Sequence, residues 1–80
     1  MSKVLLFSTP TCSWCRRATR YFRGRKVPFK ELNVERDADA GRDIVRKTGQ
    51  TGVPVIKISS RWIVGFDREQ IDRELARKAS

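Results

Sequence analysis

The chain contains two cysteines, Cys12 and Cys15, separated by Ser13 and Trp14. Residues three positions apart lie within one turn of a helix, so the two thiols can close a disulfide without a large backbone movement. A pair that exists either as two thiols or as one disulfide carries two electrons. The spacing therefore indicates thiol–disulfide exchange as a chemistry that this chain can perform.

The positions of the two cysteines predict different roles for them. An apolar run at residues 4–7 predicts a strand that ends just before the pair, and helical spacing begins at Ser13. Cys12 then lies at a helix N-terminus, where free amides and the helix dipole favour a thiolate, so we expect it to be the nucleophile. Cys15 lies one turn inside the helix and is expected to be the resolving cysteine.

A cysteine pair can also bind a metal. Zinc normally takes four ligands, and this chain has no histidine and no further cysteine. A zinc or iron–sulfur site would have to be shared between two chains, in a binding module rather than an enzyme. That interpretation stays open, but a cysteine pair between a strand and a helix favours redox chemistry. We expect no metal ligands and no tightly bound cofactor.

A second candidate element runs from Thr51 to Pro54. A proline at the first position of a strand needs no ladder donor. With a cis Val53–Pro54 bond, the backbone of Val53 would be free to pair with a substrate beside Cys12. Most X–Pro bonds are trans, so these residues alone favour an ordinary trans proline.

A third candidate element is Gly65-Phe66-Asp67, between a predicted strand and the last predicted helix. A glycine followed by an acidic residue normally forms a turn and a helix cap. The amides at the same helix N-terminus could instead bind a carboxylate. Both interpretations are kept for this segment.

The remaining sequence predicts the elements that position these residues. We predict strands at 3–8, 29–34, 53–58 and 61–64, and helices at 13–23, from Asp37 or Asp39 to Thr48, and after Asp67. Gly24 is predicted to cap the first helix. The order β-α-β-α-β-β-α predicts an α/β fold, with a four-stranded mixed sheet and helices on both of its faces.

Size and composition restrict the class of protein. Eighty residues, 39% of them hydrophobic, predict a single domain over 1–80. No apolar run approaches the roughly 20 residues that span a bilayer, and no signal-peptide pattern precedes the first strand. We therefore expect a cytoplasmic monomer without membrane contacts. Because cytoplasmic thiols are mostly reduced, a structural disulfide is not expected there.

The formal net charge is +9, and residues 16–26 include six basic residues and no acidic one. This segment is interpreted as a solvated helix face, as a docking surface for an acidic protein or as a nucleic-acid surface. Aromatic residues are not interleaved as a stacking platform, and no DNA-reading motif is present. We therefore expect no nucleic-acid partner.

These elements, in this order, resemble the glutaredoxin family of the thioredoxin superfamily over nearly the whole chain, and also its small NrdH-type redoxins. Residues 7–15 are similar to the family's active-site segment, residues 48–54 to the segment ending in its cis-proline, and residues 64–67 to its glycine-rich turn. The resemblance implies a thioredoxin fold. It also implies a cis peptide bond before Pro54.

The resemblance implies a thiol–disulfide oxidoreductase in which Cys12 attacks and Cys15 resolves. Its substrates would be protein disulfides or, as the alternative, glutathione mixed disulfides. The implied substrate-binding or glutathione-binding residues are Thr11, Trp14, Gln50, Val53, Pro54, Gly65, Phe66 and Asp67.

Two departures from the family pattern concern glutathione. Family members often carry a lysine at the position of Thr9 and a basic residue at that of Thr51, where both help to bind the glycine carboxylate of glutathione. Their absence favours glutathione-independent reduction. The implied partners are disulfide-containing proteins, with ribonucleotide reductase as one candidate, and thioredoxin reductase or glutathione as the electron donor.

Overall fold

The structure is a computed structural model, and it describes residues 3–78. Its elements are β1 (Val4–Ser8), α1 (Ser13–Gly24), β2 (Lys30–Asn33), α2 (Ala38–Thr48), β3 (Val55–Ile58), β4 (Arg61–Val64) and α3 (Arg68–Lys78). The predicted order β-α-β-α-β-β-α is confirmed. Within the described range, no helix has the length and apolar character needed to cross a membrane.

The four strands form one mixed sheet in the order β2-β1-β3-β4. β1 runs parallel to β2, with Leu6 opposite Glu31, and antiparallel to β3, with Leu6 opposite Ile56. β3 and β4 form the predicted hairpin, in which Ile56 lies opposite Ile63. The cysteine pair therefore follows a central strand, whose position is held by neighbours on both sides.

Successive side chains of the central strands point to opposite faces of the sheet, so the strands contribute to an apolar cluster on each face. On one face, β1 and β3 pack against α1 and α3 through Val4, Leu6, Ala18, Phe22, Ile56, Ile58, Ile63 and Ile71. On the other face, the strands pack against α2 through Phe7, Ala40, Ile44 and Val55. Helices thus cover both faces, as predicted. The helix that begins at the cysteine pair, α1, packs against the sheet.

The prediction that Gly24 caps α1 is wrong. Gly24 belongs to the helix, Arg25 is the cap, and Lys26 takes the left-handed backbone conformation with φ 57°. The amide of Val27 donates to the Phe22 carbonyl at 2.9 Å, a bond typical of a Schellman ending. Val27 also packs against the first cluster, so apolar burial rather than glycine decides where the helix ends.

β3 begins at Val55, two residues later than predicted. Pro54 has no amide hydrogen to donate, and its carbonyl accepts the Gly65 amide at 2.9 Å instead of extending the strand. The Val53–Pro54 bond is cis. The segment before β3 is thereby joined to the segment after β4.

Candidate active site

Cys12 is the N-cap residue of α1, and its Sγ accepts the Cys15 amide at 3.1 Å. The turn before it is closed by the Cys12 amide, which donates to the Thr9 carbonyl at 3.3 Å. The Arg16 guanidinium holds the same turn by donating to the Pro10 carbonyl at 2.7 Å. The half-exposed sulfur therefore lies directly against the free amides of the helix N-terminus.

Cys15 differs from Cys12 in almost every respect. It is 2% exposed, and burial, together with the hydrogen bond to Cys12, raises the pKa of Cys15 to about 12. Its carbonyl accepts the Thr19 hydroxyl at 3.0 Å, inside the helix. Both cysteines are free thiols. The pair thus consists of one accessible sulfur and one enclosed, neutral thiol.

A carboxylate on the neighbouring strand acts on the buried cysteine. The Ser8 hydroxyl, at the end of β1, donates to the Glu31 carboxylate on β2 at 2.7 Å. The negative charge of Glu31 contributes to the raised pKa of Cys15, after burial and the contact with Cys12. Glu31 therefore helps to keep Cys15 protonated.

One exposed aromatic side chain, that of Trp14, lies next to the pair and contacts a half-buried one, that of Phe66. The ring of Trp14 is 53% exposed, and its centroid lies 6.5 Å from that of Phe66. The Arg17 guanidinium lies 4.6 Å from the Trp14 centroid, in a cation–π contact. Phe66 also packs edge-on against Tyr21, at 5.5 Å. This contact brings the first turn of α1 to the segment before α3.

Two of the predicted segments meet through the backbone. Gly65 has φ 81°, a conformation that suits glycine, and its amide reaches the Pro54 carbonyl. Val53 is half-buried against the second cluster. Within residues 3–78, neither the amide nor the carbonyl of Val53 forms a hydrogen bond. Both groups are therefore available to an extended ligand.

Asp67 acts as the cap of α3. Its carboxylate accepts the Gln70 backbone amide at 3.2 Å and the Gln70 side-chain amide at 2.8 Å. These hydrogen bonds lower the pKa of the Asp67 carboxyl. The cap interpretation of this residue thus accounts for its contacts.

Thr11 and Gln50 lie at the margin of the site. Thr11 is exposed beside Cys12, whereas Gln50 is exposed beyond α2 and bonds through its backbone to the Thr48 hydroxyl at 3.4 Å. In the part of the chain that the structure describes, no hydrogen bond joins Gln50 to the cysteine pair. The structure therefore joins Trp14 to Phe66 and Gly65 to Pro54, and it joins Gln50 to the end of α2.

Sequence reasoning did not identify Tyr21 as part of the aromatic contacts at the site. Its ring packs on Phe66, and guanidinium groups lie 5.2 Å (Arg25) and 5.3 Å (Arg68) from its centroid. Tyr21 follows Trp14 by seven residues, which places both on one side of the helix. That spacing was the signal that could have identified it.

A cavity among the described residues lies away from the cysteine pair. Its volume is about 630 Å³, and it is lined by residues of α2 together with Val34 and Thr51. Over residues 3–78, no group of three or more histidine, cysteine, aspartate or glutamate side chains could hold a metal ion.

Comparison with known proteins agrees with this arrangement. The glutaredoxin family model matches residues 4–63. The chain is 36% identical over 70 residues to an uncharacterized glutaredoxin-like 8.6 kDa protein in the rubredoxin operon of Clostridium pasteurianum, covering 88% of this chain and 93% of that one. It is 31% identical over 67 residues to glutaredoxin 3 of Escherichia coli K12, covering 84% and 81% of the two chains.

A solved structure extends the likeness to the fold. A mutant of the thioredoxin-like protein BC3987 superposes with a TM-score of 0.86 at 22% identity, over 95% of this chain and 97% of that one. This similarity confirms the thioredoxin fold. The family match over most of the chain identifies the protein: it belongs to the glutaredoxin family of the thioredoxin superfamily.

Proposed function

We propose that the protein is a thiol–disulfide oxidoreductase that reduces protein disulfides by dithiol exchange. The observation that carries this proposal is the difference between the two sulfurs. Cys12 is half-exposed at the helix N-terminus, whereas Cys15 is buried and its pKa is raised to about 12. Membership of the glutaredoxin family supports a redox function for such a pair.

In the proposed reaction, the Cys12 thiolate attacks one sulfur of the substrate disulfide. A mixed disulfide forms, and the other substrate sulfur leaves as a thiolate and takes up a proton. Cys15 then loses its proton and attacks the Cys12 sulfur, which releases the second substrate thiol. Two electrons pass to the substrate, and the products are a substrate dithiol and a Cys12–Cys15 disulfide.

We assign substrate binding to the surface around Cys12. The free amide and carbonyl of Val53 can pair with an extended substrate segment, since main-chain pairing recognises a peptide without reading its sequence. Trp14 and Phe66 offer apolar contact to the substrate. Gly65 and Pro54 connect these two parts, and Thr11 lies at the margin.

We propose a reductase of the thioredoxin reductase type as the electron donor, in the cytoplasm. Thr9 and Thr51 provide no charge for the glycine carboxylate of glutathione. Glutathione-dependent deglutathionylation is the second candidate function, because the chain belongs to the glutaredoxin family and the free backbone groups of Val53 can pair with glutathione as well as with a protein segment. Ribonucleotide reductase is a candidate substrate for the first function.

A trapping experiment tests the cysteine roles. The pre-reduced protein is mixed at neutral pH with a peptide that contains one disulfide, and the products are identified by mass spectrometry. We expect Cys15→Ser to accumulate a mixed disulfide on Cys12, Cys12→Ser to form none, and the unchanged protein to release two peptide thiols. A peptide adduct that forms on Cys15 of Cys12→Ser as fast as on Cys12 would contradict the assignment.

A coupled assay tests the donor. NADPH consumption is measured with insulin as substrate, first with thioredoxin reductase and then with glutathione and glutathione reductase. We expect faster turnover with thioredoxin reductase. Turnover only in the assay with glutathione and glutathione reductase would favour the second candidate function over the first.

A further inference from the structure

Three arginines form a row along α1 that begins next to the cysteine pair. Arg16, Arg20 and Arg23 are exposed and follow one another at spacings of four and three residues. Such spacings place side chains on one face of a helix, and seven residues cover about 10 Å. We call these three residues the α1 arginine row.

The row differs in its partners from several arginines of the other two helices. In the described residues, no carboxylate forms an ion pair with any member of the row, and Arg16 is bound only by the Pro10 carbonyl. Three arginines of the other two helices pair with acids of their own helix: Arg42 with Asp39, Arg46 with Asp43, and Arg73 with Glu69. The row therefore concentrates uncompensated positive charge beside the redox site.

A groove runs between the row and the edge strand β2. It has a volume of about 240 Å³ and is lined by the row, Thr19 and Glu31. Glu31 is the one acid in this lining, and its carboxylate is already bound by the Ser8 hydroxyl. The groove thus has three positive charges against one negative charge, and it opens at the edge of the sheet.

We propose that the α1 arginine row docks an acidic segment of the protein whose disulfide Cys12 reduces. The proposal rests on the proposed function and adds the chemical class of the partner. Guanidinium groups spread over about 10 Å match carboxylates spaced along a peptide chain. A nucleic acid is disfavoured because the lining of the groove contains no aromatic side chain on which bases could stack.

Three model peptides test the docking step. Each contains the same single disulfide, flanked by four glutamates, four glutamines or four lysines. The rate of reduction by the pre-reduced protein is measured at low salt and in 0.5 M NaCl, a concentration that largely screens exposed charges. We expect the acidic peptide to react about 3- to 10-fold faster than the neutral one at low salt, and about equally fast at high salt.

Matched variants locate the effect on the molecule. Arg20→Gln with Arg23→Gln removes two charges of the row and leaves Arg16, which supports the active-site turn, in place. Arg42→Gln with Arg46→Gln removes two charges from α2, on the opposite face of the sheet. We expect the first variant to lose most of the preference for the acidic peptide and the second to retain it. Both should reduce the neutral peptide at the unchanged rate.

A change in the opposite direction and a binding assay complete the test. Glu31→Gln removes the acid of the groove and should increase the preference for the acidic peptide. A fluorescent acidic peptide without cysteines should bind the protein at low salt, and it should bind the Arg20→Gln, Arg23→Gln variant more weakly. This assay needs no redox activity, so docking and the proposed function can fail separately.

Each remaining outcome decides one of the two proposals. Reduction of none of the three peptides would overturn the proposed function, whatever the binding assay shows. Equal rates for all three peptides, or equal loss of preference in both arginine variants, would overturn the docking proposal. Tighter, row-dependent binding of a single-stranded oligonucleotide of equal charge would overturn it in favour of a nucleic-acid surface.

Discussion

Helices α1 and α2 begin with the same hydrogen bond, made by different atoms. At the start of α1 the Cys12 Sγ accepts the Cys15 amide at 3.1 Å, and at the start of α2 the Asp37 carboxylate accepts the Ala40 amide at 3.1 Å. Aspartate is a preferred N-cap, whereas cysteine is not among the preferred residues. The α2 cap is thus a residue type that stabilises a helix N-terminus. The corresponding position of α1 is occupied by a cysteine, which is a less favourable cap.

The charges of the two helices differ in the same way. The first turn of α2 includes Asp39, which pairs with Arg42, but the first turn of α1 contains no acidic residue. An acid there would repel the Cys12 thiolate that we propose as the nucleophile. Both arginines of α2 are therefore paired within the helix, whereas the α1 arginine row has no ion pair in the described residues.

The largest effect that we expect separates activity from stability at Cys12. Cys12→Ser should reduce disulfide turnover to the uncatalysed background, because a hydroxyl does not replace the thiolate nucleophile. Its free energy of unfolding should stay equal or rise by up to about 1 kcal/mol, since serine is a preferred N-cap. Turnover and urea denaturation under reducing conditions measure the two. A fall of more than about 1 kcal/mol in the free energy of unfolding would show that the sulfur itself stabilises the fold.

Cys15 should make stability depend on pH. Burial raises the pKa of Cys15 to about 12 from 9.0, so above pH 9 the unfolded chain releases a proton that the folded chain retains. The free energy of unfolding should then fall by about 1.4 kcal/mol per pH unit between these values. Urea denaturation at pH 8, 9.5 and 10.5 measures this slope. Cys15→Ala should show a smaller slope, and identical slopes would contradict the expected burial effect.

Removal of the α2 cap should lower stability and leave turnover unchanged, which is the reverse of the result expected for Cys12→Ser. Asp37→Ala removes the acceptor of the Ala40 amide and should lower the free energy of unfolding by about 1 kcal/mol, with turnover unchanged. Asp39→Ala is the matched control, because this exposed acid makes only a surface ion pair and should cost less. Loss of turnover in Asp37→Ala at a temperature where it stays folded would break the contrast between the helices.

The smallest expected effect concerns the ends of the same two helices. α2 ends in a left-handed glycine, Gly49 with φ 77°, whereas α1 ends with Lys26 at φ 57°. Lys26→Gly should therefore raise the free energy of unfolding by roughly 0.5 to 1 kcal/mol, because glycine adopts this conformation without strain. Gly49→Ala should lower it. Thermal denaturation of both variants checks the opposite signs.

Sequence reasoning succeeded where local rules act alone. The cysteine spacing, the hairpin at β3 and β4, and the caps at Asp37 and Asp67 each depend on a few neighbouring residues. It failed at Gly24, because the end of α1 is decided by the burial of Val27 in a cluster built from distant strands. It also missed Tyr21, whose importance depends on Phe66, far along the chain.

The amino-acid sequence alone determined the redox pair, the order of elements and the basic character of α1, since these follow from residue types and short spacings. Only the tertiary structure decided which charges are compensated and which groups surround Cys12. Packing of α1 onto the central strands buries Cys15 and leaves Cys12 accessible. Pairing of the Arg16, Arg20 and Arg23 side chains with acids would need a nearby carboxylate, and the fold brings only Glu31 into their groove.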